Sequence, residues 1–229
     1  MKKKHILFIV ENNSVPEDIR VWPEAIAVKN FGYNVSIICP RKKNKFNKYF
    51  EKIDGIDVYR HPMPFEGNTK LTIILEYINA LSWELIFSIF IFINKRFHAI
   101  HSANPPDHVF IIAMIFKLFK VKYIFDHHDL SPEAYVAKFN NKNVFYKLLL
   151  IMEKMTFKVA DIVISTNESY KDIAIKRGKK NEKQVFIVRN APPFHKILGV
   201  KPRYEAKKNF DFLVAYVGAI GNQERIDIL

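Results

Sequence analysis

Residues 5–40, "HILFIVENNSVPEDIRVWPEAIAVKNFGYNVSIICP", decide the fold. His5–Val10 is a short, continuous apolar run, as expected of a strand buried on both faces. The polar loop "ENNSVPEDIR" follows. In "VWPEAIAVKNFGY" apolar residues recur at helical spacing and stop at Gly32, a C-cap residue. "NVSIICP" (Asn34–Pro40) is the next strand, closed by proline. Strand, helix and strand joined by short connections make a βαβ unit, whose crossover is right-handed.

The alternation continues along the chain. "GIDVYRHP" (Gly55–Pro62) reads as a third strand, and "FHAIHSANPPD" (Phe97–Asp107) as a strand running into a proline turn. "HVFIIAMIFKLFKV" reads as a helix, "KYIFDHH" as a strand and "NVFYKLLLIMEKMTFKVA" (Asn143–Ala160) as a long helix. "DIVIST" is a strand, and "NESYKDIAIKRG" is a helix capped by Asn167 and stopped at Gly178. "QVFIVRNAPP" is a last strand before a turn. The fold class is therefore α/β, a doubly wound and mostly parallel sheet with helices on both faces. Lys201–Asp211 is a charged linker, and residues 212–229 open a new strand–loop–helix.

Composition sets the outer limits. A chain of 229 residues suits one or two domains, at about 100–200 residues each. An apolar content of 49% argues against disorder over most of it. Cys39 is the only cysteine, which excludes an intrachain disulfide and suits a reducing compartment. Three lysines precede the first apolar run, but that run is short and no small-residue cleavage site follows, so it reads as a strand and not a signal peptide.

The formal charge of +13 favours anionic partners. It is densest in "RKKNKFNKYFEK" (Arg41–Lys52), which is either a solvated loop or one that meets an anionic membrane surface or a phosphate. No helix-turn-helix, zinc-finger or RNA-binding signature accompanies the charge, so no nucleic acid is expected. Residues 71–94, "LTIILEYINALSWELIFSIFIFIN", are apolar enough to test as a span, but Glu76 and Glu84 interrupt them. The segment is expected to be a core helix or one that dips into a membrane interface.

In open α/β sheets ligands bind at the carboxyl ends of strands. Four loops there carry polar clusters: "ENNSVPEDIR", "SANPPD", "DHHDLSPE" and "STNESY". The third is the densest, with Asp126, His127, His128 and Asp129 in a row. It suits a metal site, an acid–base site or a polar turn. Successive strand residues point to opposite faces, which argues against a shared ion. In the first loop Asn12, Asn13 and Ser14 either hydrogen-bond a hydroxyl-rich ligand or cap the helix. Asp18 and Arg20 suggest an ion pair within that loop, and Asp107 a cap for the helix after it.

The ordered set "VPEDIRVWPEA", "NPPD", "DHHDLSPE", "STNESYKDIAIKRG", "VFIVRNAPP" and "YVGAIGNQERIDIL" resembles bacterial glycosyltransferases of family four, especially those that extend O-antigen or capsule. The resemblance implies the GT-B fold, two Rossmann-like domains facing across a cleft. Residues 1–200 match the acceptor-side domain, 201–211 a linker and 212–229 the opening of the nucleotide-sugar-binding domain. It further implies transfer of a sugar from a nucleotide-sugar donor to a lipid-linked acceptor with retention of configuration, no metal, and no cofactor beyond the co-substrate.

By resemblance His128 and Asp129 carry the catalytic step, and Asn12, Asn13, Ser14, Arg20 and His127 the acceptor. Gly218 and Gly221 match the loop beside the donor diphosphate, where glycine lets backbone N–H groups approach closely. The family's basic pair and its glutamates spaced by seven residues have no match here. The alternatives are a non-catalytic remnant that keeps acceptor or membrane binding, or half of a split enzyme completed by a separate chain. The expected location is cytoplasmic, peripheral at the inner membrane face.

Overall fold

The computed structural model describes residues 3–42, 45–64, 70–191, 211–212 and 214–218. Gly221, most of the linker and the helix expected at the end of the chain lie outside them. In chain order the elements are β1 (His5–Ile9), α1 (Val21–Asn30), β2 (Asn34–Pro40), β3 (Phe50–Ile53), β4 (Ile56–His61), α2 (Lys70–Lys95), β5 (Ala99–Ala103), α3 (Phe110–Lys117), β6 (Lys122–His127), α4 (Ser131–Phe139), α5 (Val144–Val159), β7 (Ile162–Ser165), α6 (Glu168–Lys176) and β8 (Val185–Ile187). Among the described residues one eight-stranded sheet runs β3-β4-β2-β1-β5-β6-β7-β8. Every pairing is parallel except β3 with β4, so the sheet is the doubly wound one expected.

β1 lies near the middle of the sheet, and its apolar run follows from that position. Leu7 and Ile9 enter one core with Ile91, Phe116 and Phe157. Phe8 and Val10 enter another, on the opposite face, with Val21 and Ala25 of α1. Alternate residues thus meet two helical layers, and a polar residue has no solvent to face. Helix ends follow local chemistry. Gly32 has φ +101°, a conformation that disfavours a side chain, and its N–H bonds Lys29 O at 2.9 Å where α1 ends. Asn167 accepts from Tyr170 N at 3.0 Å and caps α6, and Asn143 caps α5 the same way.

The structure departs from the sequence reading at four places. The basic run of 41–52 ends in a strand, β3, which forms a hairpin with β4 through Asp54 and Gly55, both at positive φ. Asp107 does not cap α3, whose N-cap is Val109; its carboxylate accepts from Asn104 instead. Asp18 makes no ion pair with Arg20. It accepts from the backbone N–H groups of Arg20 and Val21 at 2.9 and 2.6 Å, holding the first turn of α1.

Finally, α2 is not a buried core helix. Ala80, Glu84, Ser88 and Ile91 face the sheet, but Ile74, Leu75, Ile78, Ile86, Ile89, Phe90 and Ile93 are exposed. Ile74–Lys95 is long and apolar enough to cross a membrane, and only 22% of its most apolar window is buried.

Candidate active-site crevice

β1 hands the chain leftwards to β2, whereas β5 hands it rightwards to β6, so the strand order reverses between β1 and β5. Loops that leave neighbouring strands in opposite directions open a crevice at their carboxyl ends, where α/β sheets bind ligands. Glu11 and Asn12 lie on the β1 side of this crevice. Asn104 and Pro105 lie on the β5 side, and His128 and Asp129 follow β6.

Asn104 organises the β6 loop. Its side-chain oxygen accepts from His128 N at 2.9 Å and Asp129 N at 3.1 Å. Its amide donates to Asp129 O at 2.7 Å and to Asp107 Oδ1 at 3.1 Å. The His128 imidazole is thereby set at the crevice, 13% exposed, with Nδ1 3.6 Å from Asp126 Oδ2 and Nε2 3.9 Å from Asp129 Oδ2. Asp129 is more open, with 54% of its side chain exposed.

Beneath them is a buried ionic network. Arg20 donates Nε and Nη2 to the two Asp126 oxygens at 2.6 and 2.5 Å, and Nη1 to Val188 O at 3.1 Å and Asn190 Oδ1 at 2.5 Å. Burial alone would raise the Asp126 pKa, but His101, His128 and Arg20 outweigh it and hold the carboxyl well below the usual range. His101 stacks on Phe8 with ring centroids 4.4 Å apart and lies 3.3 Å from Glu24. Burial works against its charge, yet Asp126 and Glu24 push its pKa up to about 9.

Glu24, His101 and Asp126 offer ligand atoms within 4.8 Å of one another. Arg20 already binds both oxygens of Asp126 and sits 3.5 Å from Glu24, so the cationic charge a metal would supply is in place. The geometry fits an ion-pair network and not a metal centre.

The sequence-derived candidates separate into two sets. Asn12, Asn13 and Asp129 are exposed, and His128 is partly exposed. Ser14, Arg20 and His127 turn inward. Ser14 Oγ lies 3.8 Å from Cys39 Sγ, and the Arg20 guanidinium is spent on Asp126. His127 is fully buried among Phe125, Phe157 and Tyr170. Burial, with the Arg177 charge, lowers its pKa to about 3, so it is neutral. These three therefore support the crevice from behind, without facing it. Gly218 is exposed, in a stretch without secondary structure among the described residues.

Three features escaped the sequence reading. Asn104 was visible only as part of a turn, and Asp126 gave no hint of a partner 106 residues away. Glu84 did carry a signal, being an acid within an apolar helix. It is fully buried and its Oε2 lies 3.0 Å from His108 Nε2.

The sequence profile described as Glycosyltransferase Family 4 matches residues 24–191. Sucrose-phosphate synthase from Thermosynechococcus elongatus superposes with a TM-score of 0.57 at 16% identity, over 82% of this chain and 48% of that one. UDP-N-acetylglucosamine 2-epimerase from Rickettsia bellii gives 0.51 at 14%, over 82% and 45%. A UDP-glucosyltransferase from Polygonum tinctorium, capable of glucosylating indoxyl, gives 0.54 at 12%, over 91% and 56%. The chain spans about half the length of these structures, and at such identities the likeness establishes a common fold. No curated protein sequence matches significantly.

Proposed function

The chain belongs to glycosyltransferase family 4, and from that premise we propose that it is the acceptor-side domain of an enzyme of surface-polysaccharide synthesis, of the O-antigen or capsule type. The enzyme moves a sugar from a nucleotide-sugar donor to a lipid-linked or polysaccharide acceptor, with retention. The observation that carries the reading is His128. It is held at the crevice by Asn104 from below and lies beside a buried carboxylate, Asp126. An imidazole so oriented can donate or accept a hydrogen bond, which suits contact with the transferred sugar. Asp129, more open, lies 3.9 Å from His128 Nε2 and shares the catalytic role, and Asn12 and Asn13 offer amides to acceptor hydroxyls.

The donor diphosphate belongs to a second Rossmann-like domain across the cleft, beginning near Gly218 and Gly221, either in the same polypeptide or in a separate chain. The length of the solved relatives, about twice the matched region, supports this requirement. No cofactor beyond the nucleotide sugar takes part.

The acceptor's lipid anchor places the enzyme at the cytoplasmic face of the membrane. Support comes from the exposed apolar side of α2 and from the groove beside it. That groove, of about 440 Å³, is lined by Tyr49, Phe50, Tyr59, Ile86, Phe87 and Phe90. Arg41, Lys42, Lys45 and Lys48 precede it in sequence, and each basic residue near an anionic surface contributes roughly 1 kcal/mol.

The test is incorporation of labelled sugar from a panel of nucleotide sugars into membrane lipid by the complete enzyme. His128→Ala is expected to lower transfer by about 10²–10⁴-fold, the usual range for a positioned acid–base group, with the fold intact. Full transfer by a folded His128→Ala enzyme removes His128 from the reaction. Absence of transfer by the wild type with both domains present leaves an acceptor-binding remnant.

A further inference from the structure

A pocket of about 310 Å³ opens at the reversal of strand order, lined by Glu11, Asn12, Glu76, Tyr77, Pro105 and Lys138 among others. Its size is at the lower end of small-ligand sites, which begin at about 300 Å³. Its floor holds an unusual group. Glu11, the second residue after β1, is 4% exposed, and its Oε1 has no hydrogen-bond partner among the described residues. A buried polar atom left unpaired costs about 1–3 kcal/mol, so the protein gains if a ligand supplies the missing bond.

The surroundings fix which ligand chemistry fits. Burial raises the Glu11 pKa, and the Glu84 and Glu76 charges raise it further, to about 9. At neutral pH the carboxyl is therefore protonated, with an O–H to give and an oxygen to receive. A hydroxyl group has the same two capacities. Behind Glu11, Glu84 is engaged by His108, and Tyr77 packs edge-on against that histidine with centroids 5.7 Å apart. Tyr77 thus presents a fixed aromatic surface to the pocket, of the kind that accepts the C–H face of a ring. Glu76 and Lys138, of opposite sign in the same lining, offset each other and favour a ligand without net charge.

We propose that this pocket seats a neutral, hydroxyl-bearing sugar ring, and that the Glu11 carboxyl, bonding one of its hydroxyls, determines which acceptor the domain accepts. The proposal deepens the transferase reading and rests on it for the word acceptor. The ring lies against Tyr77, one hydroxyl pairs with Glu11, and Asn12 is within the same lining for a second.

The experiment reads binding instead of transfer, so the pocket can fail while the family assignment stands, and the transfer reading can fail while the pocket binds. The full chain is titrated with methyl glucoside, galactoside and mannoside, followed by saturation-transfer NMR. At least one glycoside is expected to bind saturably at pH 7. Glu11→Gln, which keeps a donor and an acceptor, retains that affinity within about threefold, whereas Glu11→Leu weakens it by about tenfold, the equivalent of one hydrogen bond.

Wild-type binding falls as pH rises above 9, where Glu11 ionises, and Glu11→Gln binding does not. Glu76, Tyr77 and Glu84 on α2, His61 at the end of β4, His108 and Lys138 are the other titratable groups facing Glu11 and are present in both proteins, so Glu11 is the one group whose ionisation the variant removes. If Glu11→Leu fails to fold, the difference between the two pH profiles decides by itself. Three results overturn the proposal: no saturable binding of any glycoside by the folded chain, unchanged binding in Glu11→Leu, or a preference for an amino sugar that releases a proton on binding.

Discussion

Replacing Arg20 by alanine withdraws the cation from a carboxylate with no access to water. The Asp126 side chain is 0% exposed and that of Arg20 5%, and the two meet through paired bonds of 2.6 and 2.5 Å. Removing one member of a buried pair costs about 3–5 kcal/mol, because the other charge stays behind unpaired. Here His101, positively charged and 3.9 Å from Asp126, retains part of the compensation, while the bonds from Arg20 to Val188 and Asn190 are lost as well. The lower half of the range, about 3–4 kcal/mol, is the expected loss.

For a domain of this size that lowers Tm by roughly 6–16 °C, at about 2–4 °C per kcal/mol. Urea unfolding at pH 7, followed by circular dichroism, measures the loss directly. The double variant Arg20→Met/Asp126→Leu should recover most of it, since neither member of the pair is then left unpaired and His101 keeps Glu24 at 3.3 Å. Acid adds a second reading. Asp126 is held below its unfolded pKa of about 3.9, so its contribution is present above that pH and lost as pH falls through the lower folded value. Arg20→Ala should lack part of this acid-induced loss. A penalty under about 1 kcal/mol, or a double variant no more stable than the single one, refutes the reasoning.

His127→Phe should flatten the stability profile between pH 6.5 and 3. The buried imidazole has its pKa lowered to about 3, so the unfolded chain binds the extra proton in that window and wild-type stability falls on acidification by up to about 1.4 kcal/mol per pH unit. Urea midpoints at pH 7 and 5 for both proteins check this, and parallel shifts count against it. Asn104→Ala strips the acceptor from the His128 and Asp129 amides and should cost about 2 kcal/mol, with hydrogen-exchange protection of those two amides lost first. Lys42→Glu/Lys45→Glu/Lys48→Glu should weaken co-sedimentation with anionic vesicles by at least about 100-fold in low salt, at roughly 1 kcal/mol per lysine. Equal binding would take the membrane role away from this loop.

How much of this could be read from the sequence depended on the range of the interaction. Strands such as His5–Ile9 and Asn34–Pro40 were legible because two-sided burial writes an apolar run into the chain. The ends of α1 and α6 were legible from Gly32 and Asn167, whose effects act within a few residues. β3 was missed, although Asp54–Gly55 is a strong hairpin signal, because lysines and the brevity of Phe50–Ile53 obscured its alternation. The crevice was legible as a place, the carboxyl ends of the strands, but its assignments were not. Arg20 resembled a surface residue of a polar loop, and only folding brings it to Asp126 and Asn190. The exposed apolar side of α2 was misjudged for a related reason: composition shows how apolar a helix is, and not which side its neighbours leave uncovered.

The Arg20 clamp also bears on the order in which the molecule assembles. It joins positions 106 and 170 residues apart, closing two of the longest loops in the domain. Loop-closure entropy must be met before such contacts return any stability, so they form late. On a ribosome the early strands can pair while β8 is still being made, but the guanidinium cannot complete its bonds until Val188 and Asn190 have emerged. The ionic network beneath His128 is therefore completed only once β8 and the turn after it have docked, although Asn104 can already hold the His128 loop.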